Sequence, residues 1–211
     1  MTLKHTALIA SLLGSSAIAA PTEWTLDKGH AHVGWEIGHM GLSRTVGRFN
    51  EFDGTFLIDE DVPENSRITF TIETNSIDSN HAMRDDHLRN ADYFDAENHP
   101  VIKFTSTRVQ MLTPSSGKLH GDLNMRGQTA PVTLDFKLVR DRSYPEFIPG
   151  YDQVRVVGFE ATGEVLRLDH GMDFIAFLDS PTGLTVGVDI HLDLVQCAGT
   201  QDTNIPCTWE R

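Results

Sequence analysis

Two stretches of this 211-residue chain concentrate side chains that could do chemistry. Residues 81–89 read HAMRDDHLR, with Asp85 and Asp86 beside His87, and residues 30–32 read HAH. Carboxylates next to an imidazole can move protons, and two imidazoles two residues apart on a strand share a face, a spacing that suits a metal ion. Each reading meets an obstacle. Neighbouring residues on a helix point about 100 degrees apart, so Asp85, Asp86 and His87 do not converge on one substrate atom. The HAH pair needs a third ligand, for which His39, His120 and His191 are the candidates. There is no GxSxG elbow, and neither Cys197 nor Cys207 stands in a nucleophile's setting. No catalytic residue, metal ligand set or cofactor is therefore assigned. A metal-dependent enzyme built on the histidine-rich strands remains the alternative to a binding protein.

The elements that would position these groups are strands. Apolar residues alternate with polar ones or glycine at Val33, Trp35 and Ile37, at Phe52, Phe56 and Ile58, and at Ile68, Phe70 and Ile72. The same period returns at Ile102 and Phe104, at Leu119, Leu123 and Met125, and at Val132, Leu134, Phe136 and Leu138. It closes with Phe159, Ala161 and Val165, then with Leu184, Val186, Val188, Ile190, Leu192 and Leu194. Those are eight candidate strands, each with one apolar face, separated by turn sequences such as SSGK, RGQT and PEFIPG. Eight half-buried antiparallel strands can form a sandwich or a barrel. Closure removes aggregation-prone edges, so the expected fold is all-β, an eight-stranded antiparallel barrel with room for one small ligand.

Only residues 80–90 carry a helical period, with Met83, His87 and Leu88 on one side and Asn80 as the expected N-cap. A short helix between two strands is placed to cover a barrel mouth. Arg84 and Asp85 read as a hydrogen-bonded latch holding it there, with Met83 and Leu88 closing the mouth. The functional alternative is that Arg84 or His39 binds a polar ligand head.

Residues 1–19 run from Lys4 through an apolar stretch to small residues at Ala17 and Ala19, the pattern of a secretory signal peptide. Cleavage after Ala19 removes one lysine and no acid, taking the formal charge from -13 to -14. Such a surface repels nucleic-acid phosphates and anionic lipid headgroups, which argues against either as a partner, and no stable membrane insertion is expected. The remainder fits one domain, 20–195, followed by a tail, 196–211. In an oxidising compartment Cys197 and Cys207 are expected to pair and staple that tail.

Four ordered motifs resemble the YceI-like, polyisoprenoid-binding family. The first comprises Asp27, His30, His39, Val46, Gly47 and Phe49; the second Arg84, Asp85, His87, Leu88, Tyr93, Phe94, Pro100 and Phe104. The third comprises Gly121, Leu123, Gly127, Thr129, Pro131 and Val132, and the fourth Arg167, Gly171 and Met172, with His170 where an aromatic is usual. The resemblance covers roughly residues 23 to 195. It implies a lipocalin-like barrel, exported to the periplasm, that encloses an isoprenoid lipid such as a polyprenyl chain or an isoprenoid quinone. It implies no catalytic activity and no cofactor beyond that ligand, and it leaves a homodimer open.

On this reading the cavity is lined by Trp35, Ile37, Phe52, Phe56, Phe70, Ile72, Phe104, Leu123, Phe136, Phe159, Val186 and Val188. At roughly 0.3 kcal/mol per heavy atom, a chain of about 40 carbons reaches on the order of 12 kcal/mol, about nanomolar, without a polar anchor.

Overall fold

The computed structural model describes residues 20–143, 154–172 and 183–197. The expected eight strands are present as β1 (Thr22–His39), β3 (Phe52–Ile58), β4 (Arg67–Glu73), β6 (Val101–Thr113), β7 (Ser116–Met125), β8 (Gln128–Ser143), β9 (Val154–Leu166) and β10 (Thr185–Cys197). Their antiparallel order, β1-β3-β4-β6-β7-β8-β9-β10, returns from β10 to β1, so the sheet is a closed eight-stranded barrel. Two further segments, β2 (Ser43–Phe49) and β5 (Ile77–Asp78), extend β3 and β4 along the same rim rather than adding staves.

β1 serves both halves of the barrel, and it changes face on the way. Four of its residues, 28–31, stand opposite the single Leu192 of β10, an odd excess that inverts the alternation. Trp24 and Leu26 are buried before the bulge, and Val33, of the opposite parity, is buried after it. The bulge is clipped by Asp27, itself buried, whose carboxylate accepts from Gly29 N at 3.0 Å and meets His30 Nδ1 at 2.7 Å. The Asp-x-x-His motif is therefore an architectural element of the barrel wall.

Two motif glycines answer to close approach. A Cβ on Gly47 would lie 2.2 Å from the Trp35 ring, and one on Gly121 would lie 2.3 Å from Phe104. Both aromatic rings occupy the space that a side chain there would need. Arg126 and Gly127 have φ of 52° and 70°, the two positive values that a tight β7–β8 turn requires.

The helix α1 spans Ala82–Arg89. Its N-cap is His81, not Asn80. Asn80 sits at φ 61°, where it cannot take the extended N-cap conformation, and its N–H goes back to Asp78 Oδ1 at 2.8 Å. His81 is extended and its ring accepts from Arg84 N.

Candidate ligand-binding site

The barrel encloses a cavity of about 910 Å³, near the upper end of the roughly 300–1,000 Å³ seen for small-ligand pockets. Eleven of the twelve expected lining residues border it: Trp35, Ile37, Phe56, Phe70, Ile72, Phe104, Leu123, Phe136, Phe159, Val186 and Val188. Phe52 does not. It stacks on Phe70, with ring centroids 5.7 Å apart and planes at 27°, and Phe70 takes the place at the wall. Trp24, Leu88, Tyr93 and Phe94 also border the cavity. The Tyr93–Phe94 pair is visible in the motif, whereas Trp24 is obscured by the change of face at the bulge.

The two ends differ in charge. β5 runs antiparallel to β2, so the chain after Asp78 heads back toward the β1–β2 hairpin, and α1 stands at that end. His39, Arg84 and His87 border the cavity there, as does Arg167 at the end of β9. The carboxylates that border it, Asp59, Glu60 and Asp141, all lie at the opposite end.

The hydrogen bonds of Arg84 and Asp85 converge on Ser79, the residue that follows β5. Arg84 donates from Nε to Ser79 Oγ and from Nη2 to Ser79 O, both at 2.7 Å. The buried Asp85 carboxylate accepts from Ser79 N at 2.8 Å and Ser79 Oγ at 2.5 Å. Asp85 is thus a buried support rather than a cavity contact, while Arg84 is both support and wall. Leu88 faces the cavity. Met83 does not close the mouth: it is 75% exposed, because at about 100° per residue it stands roughly 140° around the helix from Leu88, which faces the cavity. Nearby, Arg126 donates to Gly171 O at 2.6 Å and Ala91 O at 3.0 Å, joining the β7–β8 turn to the segments after β9 and α1.

At the opposite end a polar cluster stands at the rim. Arg155 donates from Nη1 to Glu60 Oε1 and from Nε to Asp141 Oδ1, each at 2.7 Å, and from Nη2 to Asp141 Oδ2. Its guanidinium lies 5.3 Å from the Trp24 ring centroid. The Arg155 bond holds the Asp141 carboxyl below its usual range. Glu60 and Arg155 are 95 residues apart, so no local pattern announces this cluster.

The histidines disperse. His32 faces His191 on the outer wall with ring centroids 6.2 Å apart, His30 belongs to the Asp27 clip, and His120 binds Thr133 Oγ1 at 2.9 Å. Among the described residues no three side chains are grouped to hold a metal. The Cys197–Cys207 pairing and the 1–19 segment lie outside the described residues.

Two histidines carry opposite pH signatures. The bond to Asp27 raises the His30 pKa, so its contribution to stability is full below about 6.5 and is lost as pH rises through the folded value. Burial lowers that of His170, so its contribution is present above about 6.5 and is lost as pH falls through the folded value. Melting temperature is expected to peak near pH 6.5. His30→Gln should flatten the alkaline limb alone and His170→Gln the acid limb alone, as read by calorimetry across pH 4.5–9; limbs that both variants leave intact would refute the assignment.

A closed antiparallel barrel with an apolar interior and polar groups gathered at its ends is the build of a small-ligand barrel. Within that class the chain belongs to the YceI-like domain family, whose model matches residues 24–195. Protein YceI of Escherichia coli O157:H7 is 40% identical over 162 residues, 76% of this chain and 81% of that protein. Among solved structures, BcnA of Burkholderia cenocepacia shares the fold with a TM-score of 0.68 at 18% identity, over 80% of this chain and 98% of that one. A polyisoprenoid binding domain from Saccharophagus degradans does so with a TM-score of 0.58 at 14% identity, over 81% and 97%.

Proposed function

We propose that this chain is an exported, periplasmic carrier or store for an isoprenoid lipid, a polyprenyl chain or an isoprenoid quinone, and that it binds rather than transforms its ligand. The observation that carries the reading is the apolar cavity itself, about 910 Å³ of space inside a barrel whose wall aromatics come from β1, β3, β4, β6, β8 and β9. The solved polyisoprenoid binding domain of the same fold supports the choice of ligand class. The amino-terminal pattern of residues 1–19 supports export.

The ligand's polar head belongs at the α1 end. His39, Arg84 and His87 offer donors there. The buried indole N–H groups of Trp35, on the same wall, and of Trp24, at the far end, both lack a hydrogen-bond partner among the described residues. An unpaired buried donor costs about 1–3 kcal/mol, which a quinone carbonyl or other acceptor would recover. The far end, where Arg155 stands between two carboxylates, receives the tail.

Organic extraction of protein purified from the periplasm, followed by mass spectrometry, should yield one isoprenoid species near stoichiometric amount. Ligand-free protein that also fails to take up added isoprenoid would count against the carrier reading. A stoichiometric transition metal whose removal lowers stability would favour the metal-dependent enzyme.

A further inference from the structure

The most exposed large apolar side chains among the described residues gather at one end of the barrel. Leu42 is 81% exposed, Met83 75%, Met40 70% and Val46 62%, ahead of all others. Met40 and Leu42 flank the tip of the β1–β2 hairpin, Val46 follows on β2, and Met83 opens α1. That is the end at which the cavity meets His39 and Arg84, and Met40 itself borders the cavity. Isolated apolar surface residues need no explanation, but four around the mouth of an apolar cavity form a patch.

The tip is held outward at a conformational cost. Leu42 N closes the turn on His39 O at 2.9 Å, and Met40 and Gly41 take φ of 52° and 71°. Nothing lies within 4 Å of the place a Gly41 Cβ would occupy. A methionine in the left-handed region is unfavourable, and here it presents an apolar side chain to solvent.

The hairpin tip favours an anionic partner. In a chain of formal charge -13, residues 37–50 contain Arg44 and Arg48 and no carboxylate. Arg44 pairs with Glu36 of β1, which lies farther from the tip, and Arg48 with Asp78 of β5, while on α1 the exposed Asp86 is paired with Arg89 and Asp85 is buried. We propose that the β1–β2 hairpin tip and the first turn of α1 form a docking face for a bilayer containing anionic lipid, through which the ligand passes between membrane and cavity. The passage rests on the carrier reading; the docking does not. Screening confines each charge's influence to about 8–10 Å in salt, so the acidic remainder of the barrel orients the molecule without preventing contact at the tip. Docking is peripheral, because a few apolar side chains enter only the headgroup boundary.

The test uses mature full-length protein and vesicles of phosphatidylethanolamine and phosphatidylglycerol, compared with phosphatidylcholine alone. Wild type should co-sediment with the anionic vesicles and weaken with salt. Leu42→Ser/Met83→Ser, neither residue bordering the cavity, should lose roughly tenfold in partition and in the rate of isoprenoid uptake from vesicles. Uptake of isoprenoid from vesicle-free solution should be unchanged. Equal partition of variant and wild type, equal binding to phosphatidylcholine, or a dimer dissolved by the two substitutions without vesicle binding would each overturn the proposal. Loss of isoprenoid binding with docking intact would overturn the carrier reading alone.

Discussion

Ala161→Phe/Val188→Phe is expected to lower isoprenoid affinity by more than roughly a hundredfold while the ligand-free barrel keeps its melting temperature. Both residues are half-buried and border the cavity. Ala161 stands opposite Phe136 and Ile190, and Val188 opposite Trp35 and Gly163, so two added rings enter the middle of the barrel from adjacent strands. At about 0.3 kcal/mol per heavy atom, displacing about ten carbons of a bound chain costs about 3 kcal/mol. Forcing the same rings into a filled core would instead cost about 1–3 kcal/mol of stability. Titration with isoprenoid and thermal melting of delipidated protein separate the two, since bound lipid would mask stability by mass action. Unchanged affinity would place the ligand outside the barrel.

Asp85→Ala is expected to destabilise the ligand-free protein by about 3 kcal/mol, a drop of roughly 6–12 °C for a domain of this size. The carboxylate is buried and receives both the N–H and the hydroxyl of Ser79, and bonds to a charged acceptor contribute about 1.5–3 kcal/mol each. Its loss also frees the hydroxyl that Arg84 Nε engages, while Arg84 Nη2 on Ser79 O and Arg89 on Asn75 O and Ile77 O still tie the helix to the segment before it. Arg84→Ala should cost about 1 kcal/mol, because its side chain is more exposed and solvent replaces its bonds. Calorimetry of the two variants checks the order. Asp85→Ala melting with wild type would show that the latch does not hold α1.

The antiparallel barrel was legible because alternation is local. Each strand's apolar face is written in its own residues, as in Ile68, Phe70 and Ile72, and eight such faces close on one another. Residues 80–90 likewise announced a short helix, because their apolar positions repeat at a helical period. Short elements were not legible: β5 has two residues, and β2 carries Gly47 where a strand pattern expects a side chain.

What only the tertiary structure decided depends on distance in sequence. The bulge at residues 28–31 exists relative to β10, so periodicity on β1 alone could not place Trp24 and Trp35 on one wall. Phe52 has the parity of a lining residue yet is screened by Phe70 from another strand, and Met83 has the period of a buried position yet faces water. The Arg155 cluster joins residues 95 apart. The cavity is the extreme case, since its volume is the difference between a radius set by strand number and stagger and the summed side chains of the whole barrel. The residues by themselves determined which faces are apolar; whether those faces meet or leave a space between them is settled only when the barrel closes.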